Sequence, residues 1–311
     1  MNYQLRNKET LGEGVRRICR EQIDAALEIS WNDRDPDQDA VHELRKHLKK
    51  ARAALRLGTK ELGTKLFRYE DRQLRDVGRL LSEIRDAEVR LQTIHQLHRL
   101  AHRRNDEAAL NDAEQLLDFE LVNFTEAFSD WQNKASAELQ KIRERINDWP
   151  LDDLNCKELR QVVQKSYKTG RKALRQVAKD FTAESFHAFR TQVKELWYHL
   201  RILYPVHPVV MKELTSELDL LGENLGQAHD RNALAARLGV GSGSASTKRE
   251  RGELLRLIKA REKQLKQMAL DLGQHFYSEP ASDFGQKIAA YLKGWKEPKQ
   301  RKSLRLLART G

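Results

Sequence analysis

Residues 41–56 place apolar and basic side chains in two parallel rows along a helix. The apolar row recurs every three or four residues, as the buried face of an amphipathic helix does, and consists of Val41, Leu44, Leu48, Ala51 and Leu55. The basic row is shifted by one residue, about 100° around the helix, and consists of His42, Arg45, Lys49, Arg52 and Arg56. Glu43 is the only acidic residue of the stretch, so few of these cations can form i,i+4 ion pairs. The pattern predicts a helix with a basic stripe that attracts an external polyanion.

Both rows occur again at 186–201, after a shift of 145 residues. The second apolar row is Phe186, Phe189, Val193, Leu196 and Leu200. The second stripe is His187, Arg190, Lys194, Trp197 and Arg201. In addition, 221–234 matches 77–90 after a shift of 144 residues, with Gly222 at the place of Gly78. Two matched segments in the same order predict an internal duplication.

Helical periodicity covers most of the remaining chain, and no stretch alternates convincingly with period two. We therefore predict an all-α fold of long antiparallel helices with essentially no sheet. Beside the two striped helices, helices are predicted over 11–31, from about 66 through 91, and over 107–148, 155–180, 209–238, 248–277 and 281–294. Gly78 would lie inside one of them, where a close helix approach is the expected reason for a glycine.

The length of 311 residues is sufficient for two helical bundles of about 150 residues, each able to bury a core. We place one half at 1–150 and the other at 151–295, followed by a basic tail at 296–311.

The net charge of +11 and the isoelectric point near 9.6 indicate an anionic partner. Nucleic acid, a phosphorylated polymer and a membrane surface all fit this charge. No apolar run approaches the roughly 18 residues of a membrane span, and the first residues lack the apolar core of a signal peptide. We expect a soluble cytoplasmic protein that does not insert into a membrane.

The striped segments carry a family resemblance. VHELRKHLKKARAALR at 41–56 resembles the defining helix of the CHAD family, the conserved histidine α-helical domain, whose signature has V-H-D-L-R, a basic pair, L-R and a final basic residue. FHAFRTQVKELWYHLR at 186–201 is similar to the second signature of that family. The family element L-G-x-x-R-D is matched by Leu81, Arg85 and Asp86, and again by Leu225, Gly226, His229 and Asp230. Three residues depart from the family pattern: Ser82 replaces a glycine, Glu195 a basic residue and Trp197 an arginine. The departures at Glu195 and Trp197 lower the charge expected of the second stripe.

The resemblance extends over about 10–295 and implies two four-helix bundles related by a pseudo-two-fold axis, with a basic central groove that binds inorganic polyphosphate. The E-x-E-x-K motif of the CYTH domain that often accompanies this family does not occur in the chain, which therefore resembles a stand-alone member. A protein of this kind could associate with polyphosphate granules.

Basic residues suit this ligand because arginine binds phosphate oxygens in a bidentate fork and lysine binds them as a point charge. Between residues 42 and 56 the first stripe extends about 21 Å, enough for several consecutive phosphates. The residues expected to bind polyphosphate are His42, Arg45, Lys49, Lys50, Arg52, Arg56, His187, Arg190, Lys194, Tyr198 and Arg201. Further basic residues that could complete the groove are Arg16, Arg20, Arg75, Arg79, Lys168, Arg171 and Arg175. His42 and His187 would contact phosphate in their charged form, so we expect tighter binding at mildly acidic pH.

We predict no cofactor, no metal site and no catalytic residue. Asp86 and Asp230 are expected to orient arginines or to cap a turn. His95, His98 and His102 share a spacing that could face one metal ion, but the neighbouring residues in sequence are arginines, which oppose metal binding. An enzyme acting on phosphate polymers would need metal-binding carboxylates, a phosphate-binding glycine loop or an activated nucleophile.

Two other functions remain alternatives to polyphosphate binding. Nucleic-acid binding would use the same basic surface, although single-strand binders interleave aromatic residues for base stacking and only Trp197 interrupts a stripe. A helical scaffold that binds an acidic protein would also fit the charge. The oligomeric state does not follow from the sequence.

Overall fold

The computed structural model describes residues 3–31, 40–99, 104–127, 129–239 and 248–295. Within these ranges the chain is helical and contains no strand, which confirms the prediction of an all-α fold. The first six α-helices are α1 (Leu11–Ser30), α2 (Ala40–Leu57), α3 (Thr59–Leu80), α4 (Ser82–His98), α5 (Arg104–Ala127) and α6 (Trp131–Arg145). The next five are α7 (Cys156–Lys179), α8 (Ala183–Ile202), α9 (Pro208–Gly239), α10 (Lys248–Phe276) and α11 (Ala281–Gly294). The predicted basic tail lies outside the described residues.

Two predicted helices are each divided in the structure. The helix predicted from 66 to 91 is broken at Leu81, whose φ of −107° and ψ of 9° are not helical. The break has a local cause, since the Ser82 hydroxyl donates to the carbonyl oxygen of Arg79 at 2.7 Å and so competes with the regular helical bond. The region predicted as one helix over 107–148 is likewise divided into α5 and α6, which are separated by a turn that includes Ser129 and Asp130.

The striped helix α2 ends at Leu57, directly before Gly58. The following helix is kinked at Gly63, which has a φ of 69°. Glycine adopts this conformation without the steric cost that a β-carbon imposes. A β-carbon built at Gly63 would have no other atom within 4 Å, so the backbone conformation, and not crowding, favours glycine here. The two glycines therefore turn the chain between α2 and the main part of α3.

The helices pack in two groups that are joined at their centre. In the first, α1 contacts α2 and α6, and α3 contacts the same two helices. In the second, α8 packs between α7 and α9, α10 packs on α9, and α11 packs on α7. The two striped helices α2 and α8 contact each other, while the α4–α5 hairpin reaches across to α9 and α10.

The buried side chains form two clusters, and both contain residues from either side of position 150. The larger runs from Tyr3 to Trp295 and includes the apolar rows of α2 and α8. The smaller one joins Ile94 and Leu110 of the α4–α5 hairpin to Leu234 and Ile258. The internal duplication and the boundary at residue 150 stay predictions.

The N-terminal segment before α1 also links the two groups. Tyr3 is buried and donates its hydroxyl to the carbonyl oxygen of Lys50 at 2.9 Å. The backbone amide of Leu5 donates to the carbonyl oxygen of Ile202 at 3.0 Å. This segment therefore joins the middle of α2 to the C-terminal end of α8, a position that helical periodicity alone could not reveal.

No helix in the described ranges combines the length and the apolar character needed to cross a membrane.

His199 fixes the contact between the two striped helices. Its imidazole is fully buried, with Nε2 3.1 Å from the carbonyl oxygen of Ala53 on α2 and Nδ1 3.0 Å from the Ser166 hydroxyl on α7. Because a carbonyl oxygen only accepts, Nε2 carries the hydrogen and Nδ1 accepts from Ser166. Burial, followed by the charge of Arg56, lowers the pKa of His199 from 6.5 to about 3, so the folded protein holds this residue neutral.

This arrangement predicts a specific acid sensitivity. Between about pH 6.5 and pH 3 the unfolded chain binds a proton at His199 that the folded chain does not, so stability falls as pH is lowered, by about 1.4 kcal/mol per pH unit from this residue. We expect His199→Gln to be less stable than the wild type at pH 7 but to lose less stability on acidification. Urea unfolding at several pH values from 7 to 4.5 measures how the free energy of unfolding of each protein changes with pH. The same pH dependence for both proteins would contradict the assignment of His199 as a buried neutral imidazole.

Candidate functional site

Basic side chains from three helices converge where α2 meets α8. We define the cationic cluster as Arg45 and Lys49 of α2, Arg85 of α4, and Arg190 and Lys194 of α8. The charges lie close enough that each of the other four lowers the pKa of Lys49. The structure therefore brings together the central residues of both predicted stripes.

Lys49 is the residue that this environment perturbs most within the cluster. Its side chain is accessible to solvent, yet neighbouring protein displaces much of the surrounding water. That loss of solvation, followed by the charges of Arg190, Arg45, Arg85 and Lys194, lowers the pKa of Lys49 to about 8. Among the described residues, no hydrogen bond or ion pair offsets the Lys49 ammonium group. The site thus holds a cation without a protein counter-charge in contact with it.

Arg190 faces the cluster from α8. Its Nε is buried and has no hydrogen-bond partner among the described residues. Asp230 of α9 lies near enough for Arg190 and Arg85 to act on its pKa, but burial outweighs their effect and raises the pKa of Asp230. The expectation that Asp230 orients arginines stays a prediction, and Arg190 Nε retains unused hydrogen-bonding capacity.

One glycine on α9 makes room for a basic side chain of α8. A β-carbon at Gly222 would lie only 2.9 Å from Lys194 Cε, whereas one at Gly226 would make an ordinary 3.6 Å contact with Arg190 Nε. Gly78, the sequence counterpart of Gly222, differs from the expectation of a close helix approach, since a β-carbon there would make only an ordinary 3.7 Å contact with Leu48. Its carbonyl oxygen instead accepts a hydrogen bond from Arg45.

The two stripe histidines lie near the cluster in different surroundings. Burial, followed by the charge of Arg85, lowers the pKa of His42, so without a ligand its charged form is disfavoured. His187 packs against His229 of α9, with ring centroids 5.0 Å apart. Burial, followed by the charges of Arg190, His187 and Lys49, lowers the pKa of His229 to about 4. Neither His42 nor His229 therefore adds much positive charge to the free protein at neutral pH.

Three of these neighbours, Arg85, His229 and Asp230, were not among the residues predicted to bind the ligand. Arg85 and His229 occupy equivalent positions in the two matched segments, and Asp230 follows directly. Arg85 forms an ion pair with the buried Glu88 at 3.0 Å and also acts on Lys49, His42 and Asp230. The repeated R-D and H-D pairs were the sequence signal that could have identified them.

At its C-terminal end, the α2 stripe is neutralised by the protein itself. Arg52 forms a two-pronged ion pair with Asp71, with distances of 2.9 and 3.0 Å. Arg56 contacts Asp71 at 3.3 Å and Glu195 at 3.4 Å. Although burial raises the pKa of Asp71, Arg52 and Arg56 outweigh it and hold this pKa below its ordinary value. The predicted role of Arg52 and Arg56 in ligand binding therefore competes with strong internal partners.

At the corresponding part of α8, aromatic rings accompany the cations. Tyr198 is buried and meets Tyr3 edge-on at 6.0 Å, so it is placed as a core residue and not as an exposed ligand contact. Burial is the main cause that raises its pKa to about 12. The predicted binding residues Lys50 and Arg201 lie over the Tyr3 ring, at 5.9 and 5.7 Å from its centroid.

The seven additional basic residues are not brought into contact with the cationic cluster. Arg16 is bound to the carbonyl oxygen of Trp149 and to Asp152, and Arg171 to the carbonyl oxygens of Tyr277 and Ser278. Arg79 contacts Asp76 at 3.4 Å, and Arg75 lies near Asp71 on the same helix. The remaining three, Arg20 on α1 and the exposed Lys168 and Arg175 on α7, have no described contact with the cluster.

The histidine spacing on α4 has a different surrounding from the one expected. His95 and His98 both contact the carboxylate of Glu114 on α5, at 2.9 and 3.0 Å, so a carboxylate does lie beside them. His102 is outside the described residues. Within those residues, no group of three or more histidine, cysteine or acidic side chains has an arrangement that could hold a metal ion.

Two solved structures have folds similar to this one. PptA from Streptomyces chartreusis aligns with a TM-score of 0.61 and 16% sequence identity, covering 86% of this chain and 99% of that chain. The CHAD domain from the plant Ricinus communis aligns with a TM-score of 0.57 and 17% identity, covering 90% of this chain and 96% of that chain. At these identities the similarity extends to the fold alone.

A search of the curated proteins found no match to this sequence. The family model for the CHAD domain, in contrast, matches residues 17–239. The matched region contains both basic stripes and the cationic cluster between them. The sequence resemblance is thereby confirmed, and the chain belongs to the CHAD domain family.

Proposed function

We propose that the chain binds inorganic polyphosphate at the cationic cluster, in a groove between α2 and α8. The observation that carries this proposal is the state of Lys49 and Arg190, whose charges converge on one place without an ion-pair partner among the described residues. An anionic chain would supply the missing counter-charges and would restore the full charge of Lys49. Membership of the CHAD family supports the same ligand.

The chemistry of the cluster favours a phosphate chain over other polyanions. Arginine and lysine together offer forked and single donors to closely spaced oxygens, which a polyphosphate presents in every direction. Repeated aromatic platforms, which a single nucleic-acid strand would use for its bases, are lacking because Trp197 alone interrupts the stripes. Binding should weaken steeply with salt through release of counterions. We further propose that this is a binding function without catalysis, which could bring the protein to polyphosphate granules.

Two double variants separate the effect of where the charges lie from the effect of how many charges there are. The variant Lys49→Ala/Arg190→Ala should bind long-chain polyphosphate at least about 30-fold more weakly than the wild type, because hydrogen bonds to charged groups are each worth roughly 1.5–3 kcal/mol. The matched control is Arg256→Ala/Lys263→Ala, which removes the same two residue types from the exposed face of α10. Fluorescence anisotropy at about 150 mM salt measures both.

Single-stranded DNA of equal charge serves as the competing ligand in the same assay. The proposal requires a large loss for the cluster variant, a small loss for the control and weaker binding of DNA by the wild type. Equal losses for the two variants would reduce the cluster to general basic surface, and tighter DNA binding would favour a nucleic-acid function.

The affinity for polyphosphate should also depend on pH. A bound anion raises the pKa of Lys49 above its free value of about 8, so binding takes up a proton at alkaline pH. Affinity should therefore fall as pH rises above 8, by up to about tenfold per unit from this residue. Lys49→Arg keeps its charge throughout this range and should show a flatter profile between pH 7 and 10 at constant ionic strength. Parallel profiles for the two proteins would mean that Lys49 does not contact the ligand.

A further inference from the structure

Trp197 of α8 lies between two basic side chains at the edge of the cationic cluster. The ammonium group of Lys194 and the guanidinium group of Arg201 are each 4.5 Å from the centroid of its ring. The indole is half-buried, so part of the ring remains accessible to solvent. A large aromatic surface next to phosphate-binding cations can stack against a flat ring of a ligand, which an uninterrupted basic stripe could not do.

An open pocket of about 270 Å3 adjoins this ring. Trp197 and Tyr204 form its aromatic part, and Arg201 lines it as well, whereas Thr215, Ser216, Asp219 and Gln4 contribute uncharged or acidic polar groups. Ligand pockets usually have volumes of roughly 300–1,000 Å3, so this one fits a group the size of a nucleobase and not a whole nucleotide. Asp219 is 60% exposed at its side chain and can accept hydrogen bonds from the amino group of a base.

Lys194 connects the pocket with the cationic cluster. Its Nζ is 3.4 Å from Asp219 in the pocket, and its charge also acts on Lys49 in the cluster. A phosphate bound to Lys194 would therefore stand directly beside the Trp197 ring. Lys194 thus adjoins both the pocket, through Asp219 and Trp197, and the cluster, through Lys49.

We propose that the Trp197 pocket binds the base of a nucleoside oligophosphate whose phosphate groups occupy the cationic cluster. This inference rests on the proposed phosphate-binding function and adds a base-recognition site to it. The base stacks on Trp197, and Asp219 accepts a hydrogen bond from its amino group. Arg201, which lines the pocket, gives up its place against the ring to the base, while Lys194 binds the phosphates.

The exchange of partners at Trp197 is favourable. A partly exposed cation–π contact is weaker than the stacking of a base on an aromatic ring, so displacing Arg201 from the ring costs less than the base contributes. Lys194 also gains, because phosphate offers it a stronger charge-assisted bond than the 3.4 Å contact with Asp219. A single aromatic pocket holds one base, which selects a mononucleoside ligand over a nucleic-acid strand.

The test compares ATP with inorganic tripolyphosphate, which carry the same number of phosphates. Each displaces labelled long-chain polyphosphate from the full-length protein in a buffer with a chelator and without divalent ions. We expect ATP to compete about tenfold more strongly than tripolyphosphate. Trp197→Ala should bring the ratio close to one, whereas Trp197→Phe, which keeps an aromatic ring, should retain part of the preference.

Trp31→Ala is the matched control, since Trp31 is 56% exposed at the end of α1. Its ratio of ATP to tripolyphosphate affinity should equal that of the wild type. Three outcomes overturn the inference and leave the proposed function intact. In the first, the wild type binds polyphosphate but does not prefer ATP to tripolyphosphate. In the others, the ratio is unchanged in Trp197→Ala, or neither short ligand competes at millimolar concentration. Absence of any polyphosphate binding overturns both.

Discussion

Arg45 and Lys49 on α2 repel Arg190 and Lys194 on α8, and the hydrophobic core holds these cations together against that repulsion. Each fully buried leucine, valine or phenylalanine of the adjacent apolar rows stabilises the fold by roughly 1.5–3 kcal/mol. Two like charges 4 Å apart oppose it by between about 1 kcal/mol in water and 4 kcal/mol near a protein surface. Because the apolar row lies one residue away from the basic row on each helix, burying the first necessarily brings the second together.

The protein limits this repulsion instead of removing it. Asp71 and Glu195 neutralise Arg52 and Arg56, so the C-terminal end of the α2 stripe becomes part of the internal ion-pair structure. His199, buried and neutral, joins α2 to α7 and α8 without adding another charge. What remains, in place of two continuous stripes, is a compact cluster in which Lys49 and Arg190 have no ion-pair partner among the described residues. The proposed binding of polyphosphate depends on this division between the neutralised arginines, Arg52 and Arg56, and the open cluster around Lys49.

Much of this arrangement follows from local sequence patterns. The spacing of three and four residues predicted α2, α8 and their buried faces. The match between 77–90 and 221–234 pointed to the helices that border the cluster. What local patterns could not give was tertiary pairing: Asp71 is 15 residues or more from the arginines that it neutralises, and Tyr3 reaches Lys50 across 47 residues. The break at Leu81 was missed because the Ser82 hydroxyl bond is invisible to hydrophobic periodicity.

We infer that the cationic cluster is strained by its own charge until an anion binds. Replacing Lys49 by methionine keeps most of the side-chain length and removes the charge, so the melting temperatures of Lys49→Met and the wild type reveal this strain. Without ligand, the variant should melt at a higher temperature than the wild type. With saturating polyphosphate the order should reverse, because the anion stabilises the wild type more. A variant that is less stable without ligand, or an equal stabilisation of both proteins by polyphosphate, would contradict the account.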